Sequence, residues 1–209
     1  MLLSSSFDPE SGLLSDATLS KRPSSTSSDT ADICIATAEK LQKNEHFKEA
    51  IQLYAKARRH APDRSGLTHQ IAILYDRIGQ TVQARKEFQH AITQEPSDAG
   101  IAADYGYFLM QHGEFQPAVE ALESSLEKAP HNEQARNNYA VLLMKMGRYE
   151  ESLAQFMQVV GQAAAHSNVG VLHAKAGRND LARKHLTQAR ELDPSLQHPQ
   201  AFLNVLDGS

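Results

Sequence analysis

Ten histidines and a single cysteine are the side chains in this 209-residue chain best equipped for chemistry. Imidazoles and thiolates ligate transition metals, and either can act as base or nucleophile beside a suitable partner. Their spacing argues against these uses. There is no His-Glu-x-x-His and no Cys-x-x-Cys. His166 and His173 stand two helical turns apart, near one face, with no third ligand in view. His60, His90 and His185 fit surface or packing positions, and Cys34 falls on an apolar position where it serves as a small hydrophobe. No glycine-rich phosphate loop joins a strand to a helix, and no serine nucleophile elbow occurs. Glu150-Glu151 reads as the solvated end of a helix. The sequence therefore predicts no catalytic residue, no metal and no cofactor, and a chain that is not an enzyme.

The remaining chemistry is non-covalent, and helices must position it. From about Ala31 a small residue recurs at Ala50, Ala84, Ala118, Ser152 and Ala182, in steps of 34, 34, 34 and 30. A large apolar residue follows four positions later (Tyr54, Phe88, Leu122, Phe156, Leu186). Three further on comes Ala57, Ala91, Ser125, Val159 or Ala189. Spacing of four then three places all three on one helical face. Glycine precedes the small residue by five at Gly79, Gly113, Gly147 and Gly177, with Glu45 in its place in the first copy. Glycine accepts the left-handed conformation that ends a helix. Proline follows by twelve at Pro62, Pro96, Pro130 and Pro194 and stops the second helix. Pro117 belongs to a first turn, where proline is tolerated. Each unit is thus two antiparallel helices.

The period of 34, the Gly-x-Tyr/Phe turn, the Ala-x3-Phe/Tyr-x2-Ala face and the closing proline resemble the tetratricopeptide repeat (TPR). "MGRYEESLAQF" and "HGEFQPAVEAL" match its pattern closely. The resemblance implies an all-α, right-handed solenoid of helix pairs. Five units are expected, at 31–64, 65–98, 99–132, 133–162 and 163–196, with a short C-terminal capping segment at 197–209. In that segment Pro199 suits a first turn, Phe202, Val205 and Leu206 are expected to face inward, and Gln200, Asn204 and Asp207 outward. Ten of residues 1–30 are serine, and this stretch is expected to be a disordered tail. The short fourth unit has no terminal proline. Gly161 is expected to end its second helix one turn early, with the next helix starting near Ala163. The missing turn either alters superhelical curvature or is a neutral deletion.

The resemblance also implies that the first helices line a concave groove. Helical geometry then assigns its surface. Ile73, Tyr107, Val141 and Val171 form an apolar floor, with Met110 and Met144 beside them. Arg77, Lys145 and Lys175 form a basic strip with Lys43. Asp104, Asn137, Asn138 and Asn168 form a polar, amide-rich edge near His69, Gln70 and Ser167. The amides can hydrogen-bond a peptide backbone as donor and acceptor, and the lysines favour an acidic residue or a C-terminal carboxylate. Half-burial of Ile73 and Val141 against neighbouring helices is the competing reading. The carboxylate clamp of chaperone-binding members is not matched in any frame: from the second unit its positions carry His69, Ile73, Asp104, Gln134 and Asn138.

The expected partner is another protein. A net charge of −4 argues against nucleic acid, and no apolar run approaches the ~20 residues that span a bilayer. One cysteine and no visible export signal lean towards the cytoplasm; an export signal absent from this start would instead mean a bacterial periplasm or envelope. The alternative function is structural, as an assembly component of a bacterial envelope, pilus or secretion machine acting through self-association or end-on stacking. Residues 136–178 are weakly similar to TPR accessory proteins of bacterial pilus assembly.

Overall fold

The structure, a computed structural model, describes residues 26–208. Among these residues all regular structure is helical: α1 (Ser27–Lys43), α2 (Phe47–His60), α3 (Leu67–Arg77), α4 (Thr81–Gln94), α5 (Ala99–Gln111), α6 (Phe115–Lys128), α7 (Glu133–Lys145), α8 (Tyr149–Lys175), α9 (Asn179–Leu192) and α10 (Gln197–Asp207). Successive helices form hairpins, and each hairpin stacks on the next to make an all-α superhelix.

The recurring small residues set the helix-to-helix approach. Ala50, Ala84, Ala118, Ser152 and Ala182 are all 0% exposed. The larger residues four positions on, Tyr54 to Leu186, are buried beside them. Two serines stand where alanine is usual, and both are satisfied by a carbonyl across the interface. Ser125 Oγ donates to Ala99 O and Ser152 Oγ to Ala140 O, each at 2.7 Å. A buried hydroxyl without such an acceptor would cost roughly 1–3 kcal/mol. Charged pairs tie neighbouring units: Arg58 forks onto Glu87 at 2.6 and 3.2 Å, and Arg85 does the same to Glu114.

Three local outcomes differ from, or sharpen, the sequence reading. Helix α1 begins at Ser27, so residues 27–30 are helical and not tail. Thr26 caps the helix through a reciprocal box with Asp29, at 2.9 and 3.1 Å. The rest of the expected disordered tail lies outside the described residues. Second, α8 carries the fourth hairpin into the fifth without a loop, and Gly161 alone turns the corner, at φ 77° and ψ 174°. Only glycine adopts that conformation cheaply. Val159, just before the corner, is half-buried where its counterparts are fully buried. Third, α10 buries Pro199, Leu203 and Leu206, whereas Val205 is 69% exposed. The inward set expected from sequence was therefore wrong in Val205. Leu203 takes that role because α10 repeats the register of a first helix, and its polar Gln200, Asn204 and Asp207 close the stack.

Glu45 occupies the left-handed position that glycine fills in the other hairpins, at φ 63°. The turn survives because its backbone bonds form, with His46 N donating to Leu41 O at 2.9 Å. A left-handed residue with a side chain costs about 1–2 kcal/mol. Glu45→Gly is expected to raise stability by about 1 kcal/mol, read as a later midpoint in urea with an unchanged slope.

Candidate binding groove

Helices α1, α3, α5, α7, the second half of α8, and α10 lie side by side and present one common face. Three clefts open along it. The first, of about 670 Å³, lies between α1 and α3 and is lined by Ile35, Glu39 and Gln70. The second, of about 700 Å³, takes Ile73, Arg77, Asp104, Tyr107 and Asn138 from α3, α5 and α7. The third, of about 580 Å³, takes Asn137, Val141, Asn168, Val171 and Lys175, and adds Phe202 and His198 from α10.

Ten of the thirteen residues expected on this surface therefore line these clefts, and Lys145 is exposed on α7. Tyr107 is 41% exposed, and its hydroxyl accepts a hydrogen bond from Gln111 Nε2 at 2.8 Å. Ile73, Val141 and Val171 are half-buried: each gives one flank to the core and the other to a cleft. Asn137, Asn138 and Asn168 are half-buried, and their carboxamides make no hydrogen bond among the described residues. Arg77, Lys145 and Lys175, with Lys43, are exposed and unpaired among the same residues. Asp104 is not free. Gln134 Nε2 donates to its Oδ1 at 2.9 Å. His69 Nε2 lies 3.0 Å from its Oδ2.

Met110 and Met144 are the two corrections. Both are only 3% exposed and sit in the core. Met144 packs with Ala165 and Val169 of the following first helix, and Met110 belongs to the cluster holding Ala135 and Leu142. A first helix is wedged between its own partner and the first helices on either side, so its free arc is narrower than that of a helix with one buried stripe. Ser167 is buried, at 6% exposure, for the same reason. The sequence reading gave α10 a capping role only and did not extend the groove to it: Val205 lies 34 residues after Val171 and continues the floor column.

The helices bearing these residues are held firmly. Tyr139 OH, on the opposite side of α7, donates to Glu123 Oε1 at 2.6 Å. Burial first, then the Glu123 carboxylate, push its phenol up to about 12, so it remains a donor at neutral pH. His112 Nε2 lies 3.1 Å from Asp76 Oδ1 and bridges α5 to α3. Among the described residues no group of three or more His, Cys, Asp or Glu side chains is disposed to hold a metal ion.

Two family models, both described as tetratricopeptide repeat, match residues 69–133 and 109–176. Together they span 69–176, more than half of the chain. The chain belongs to the tetratricopeptide repeat family. The human tetratricopeptide repeat protein 6 is 26% identical over 179 residues, covering 83% of this TPR chain but 34% of the human protein; the chain spans about a third of that relative. Among solved structures, MamA (41-end) from Desulfovibrio magneticus RS-1 superposes with TM-score 0.66 at 17% identity, over 81% of this chain and 98% of MamA. YrrB, a TPR protein described as having an unusual peptide-binding site, superposes with TM-score 0.60 at 21% identity, over 83% and 92% of the two chains. These likenesses establish the TPR fold. TPR units are generally interaction modules. Among the described residues, no helix is long and apolar enough to cross a membrane.

Proposed function

We propose that this TPR protein is a non-enzymatic scaffold that holds a peptide segment of another protein in the groove of its first helices. The observation that carries this reading is a run of unengaged polar groups along that face. The Asn137, Asn138 and Asn168 carboxamides and the Arg77, Lys145 and Lys175 cations lie beside half-buried apolar side chains, and none is used by the fold itself. Carboxamides offer donor and acceptor to a peptide backbone, and the cations select an acidic segment. The unusual peptide-binding site of the TPR protein YrrB supports the reading by analogy of fold. End-on stacking is the weaker reading, because α10 turns Gln200, Asn204 and Asp207 outward.

Peptide display against the full chain tests this. Enriched peptides are expected to carry acidic residues beside a bulky apolar one. With Lys145→Glu/Lys175→Glu as bait the acidic preference should disappear, because each rim charge steers association and rejects like charge. Enrichment indifferent to this charge reversal would refute the proposed role of the rim.

A further inference from the structure

Repeat 5 contains three imidazoles in one stack. His166 and His173 lie on the second half of α8, and His185 reaches them from α9. The sequence reading left the first two without a third; hairpin geometry supplies it. His166 Nδ1 lies 3.0 Å from His185 Nδ1, and their rings stack at 5.2 Å. His185 and His173 rings stack at 5.6 Å. Tyr149 caps the far end, 4.9 Å from His173 and edge-on, with the Arg178 guanidinium 4.7 Å over its ring. His173 is 1% exposed, and its Nδ1 has no hydrogen-bond partner among the described residues.

We propose that this stack is a proton-operated latch on the C-terminal end of the solenoid, whose protonation loosens α9 and α10 from α8 and so opens the third cleft. A 3.0 Å contact between two ring nitrogens requires one to donate and the other to accept, so the pair tolerates at most one extra proton. The surroundings favour none. Arg178 faces His173, and Lys184 faces His166 and His185. Among the described residues Glu150, from the first half of α8, is the one acid acting on the stack, and it is itself exposed. The other charged groups nearby are engaged elsewhere: Arg148 with Glu151, Arg136 of α7 with Gln155, and Arg183 of α9 with Asp207 of α10. His198 of α10 lies against Phe202.

The direction follows from linkage. Burial, then Arg178 and His185, push His173 down to about 4 from its ordinary 6.5. Burial is the leading cause of the downward shifts of His166 and His185 as well. A folded-state value below the unfolded one means that the unfolded segment binds protons the folded one refuses. Stability of this end is therefore complete above about pH 6.5 and drains away as pH falls towards about 4.

This latch goes beyond peptide capture and can be tested with no peptide present. Hydrogen exchange of the full chain, corrected for intrinsic rate, is followed by mass spectrometry at pH 7.5 and 5.0. Amides of α9 and α10 are expected to lose at least tenfold in protection at the lower pH while α3 and α4 lose little. His173→Leu should shrink that difference to threefold or less. Should this variant be loose already at pH 7.5, imidazole titration of the wild type by NMR decides. Midpoints below the ordinary histidine range, coincident with loss of α10 protection, support the latch. Equal loss of protection along the whole chain, or ordinary midpoints with α10 intact, overturns it.

Discussion

Gly106→Val is expected to lower the melting temperature of this TPR protein by roughly 2–10 °C, read by circular dichroism. A Cβ at position 106 would sit 2.6 Å from Leu122 Cγ, 3.0 Å from its Cδ2 and 3.3 Å from the Ala118 carbonyl oxygen. The nearest obstacle is the branch point of a side chain that is 0% exposed, so rotating its tip gives no relief. Overpacking of this kind costs about 1–3 kcal/mol, and valine adds a second branch against the same wall. The gain in helix propensity over glycine, about a few tenths of a kcal/mol for β-branched valine, offsets only a small part of it. For a chain of this size each kcal/mol moves the midpoint by about 2–4 °C. Gly170 is placed in the same way, 2.7 Å from Leu186 Cγ, and Gly170→Val should behave alike. Ala154→Val on the exposed face of α8 meets no packed wall and should cost only valine's lower helix propensity, about 0.5 kcal/mol. Because each unit is stabilised by its neighbours, exchange protection should fall in the hairpins adjoining the altered one as well.

The hairpins were legible in the sequence because one rule, repeated, selected their residues. Every second helix needs a small residue at the crossing, a large one a turn later and a stop beyond, and Ala84, Phe88 and Pro96 are the same words as Ala118, Leu122 and Pro130. The corner at Gly161 was legible for the complementary reason: a deletion of one turn keeps the apolar face in phase and leaves a glycine where the chain must bend. The Thr26–Asp29 capping box was hidden by serine-rich composition, although Thr-x-x-Asp is itself a start signal. Met110 and Met144 were misplaced because helical periodicity knows one buried stripe, whereas a stacked first helix has neighbours on three sides. His185 could not be placed against His166 and His173, since contact across a hairpin depends on crossing geometry that spacing alone does not specify.

The second large effect concerns binding. Tyr107→Ala with Asn138→Ala is expected to weaken capture of a display-selected peptide by about 2 kcal/mol, roughly thirty-fold in Kd. The two residues line the same cleft on adjacent first helices. Tyrosine contributes large contact area at small entropic cost, and it stands where a guest can cover it. Asn138 has both halves of its carboxamide uncommitted to the fold, so truncation removes contacts only from the complex. For the same reason neither change should move the melting temperature by more than about 2 °C, since surface substitutions away from packed features cost within ~0.5 kcal/mol. The Tyr107–Gln111 hydrogen bond is exposed and worth little.

The most direct test of the whole account is site-specific photo-crosslinking of a display-selected peptide to the full chain. A photoreactive phenylalanine analogue is placed in turn at Tyr107 and Val171, on the groove face, and at Ala154, on the outer face of α8. Crosslinks from positions 107 and 171, competed by unlabelled peptide and absent from 154, are the predicted result. Efficient crosslinking from 154 with none from 107 or 171 would contradict it.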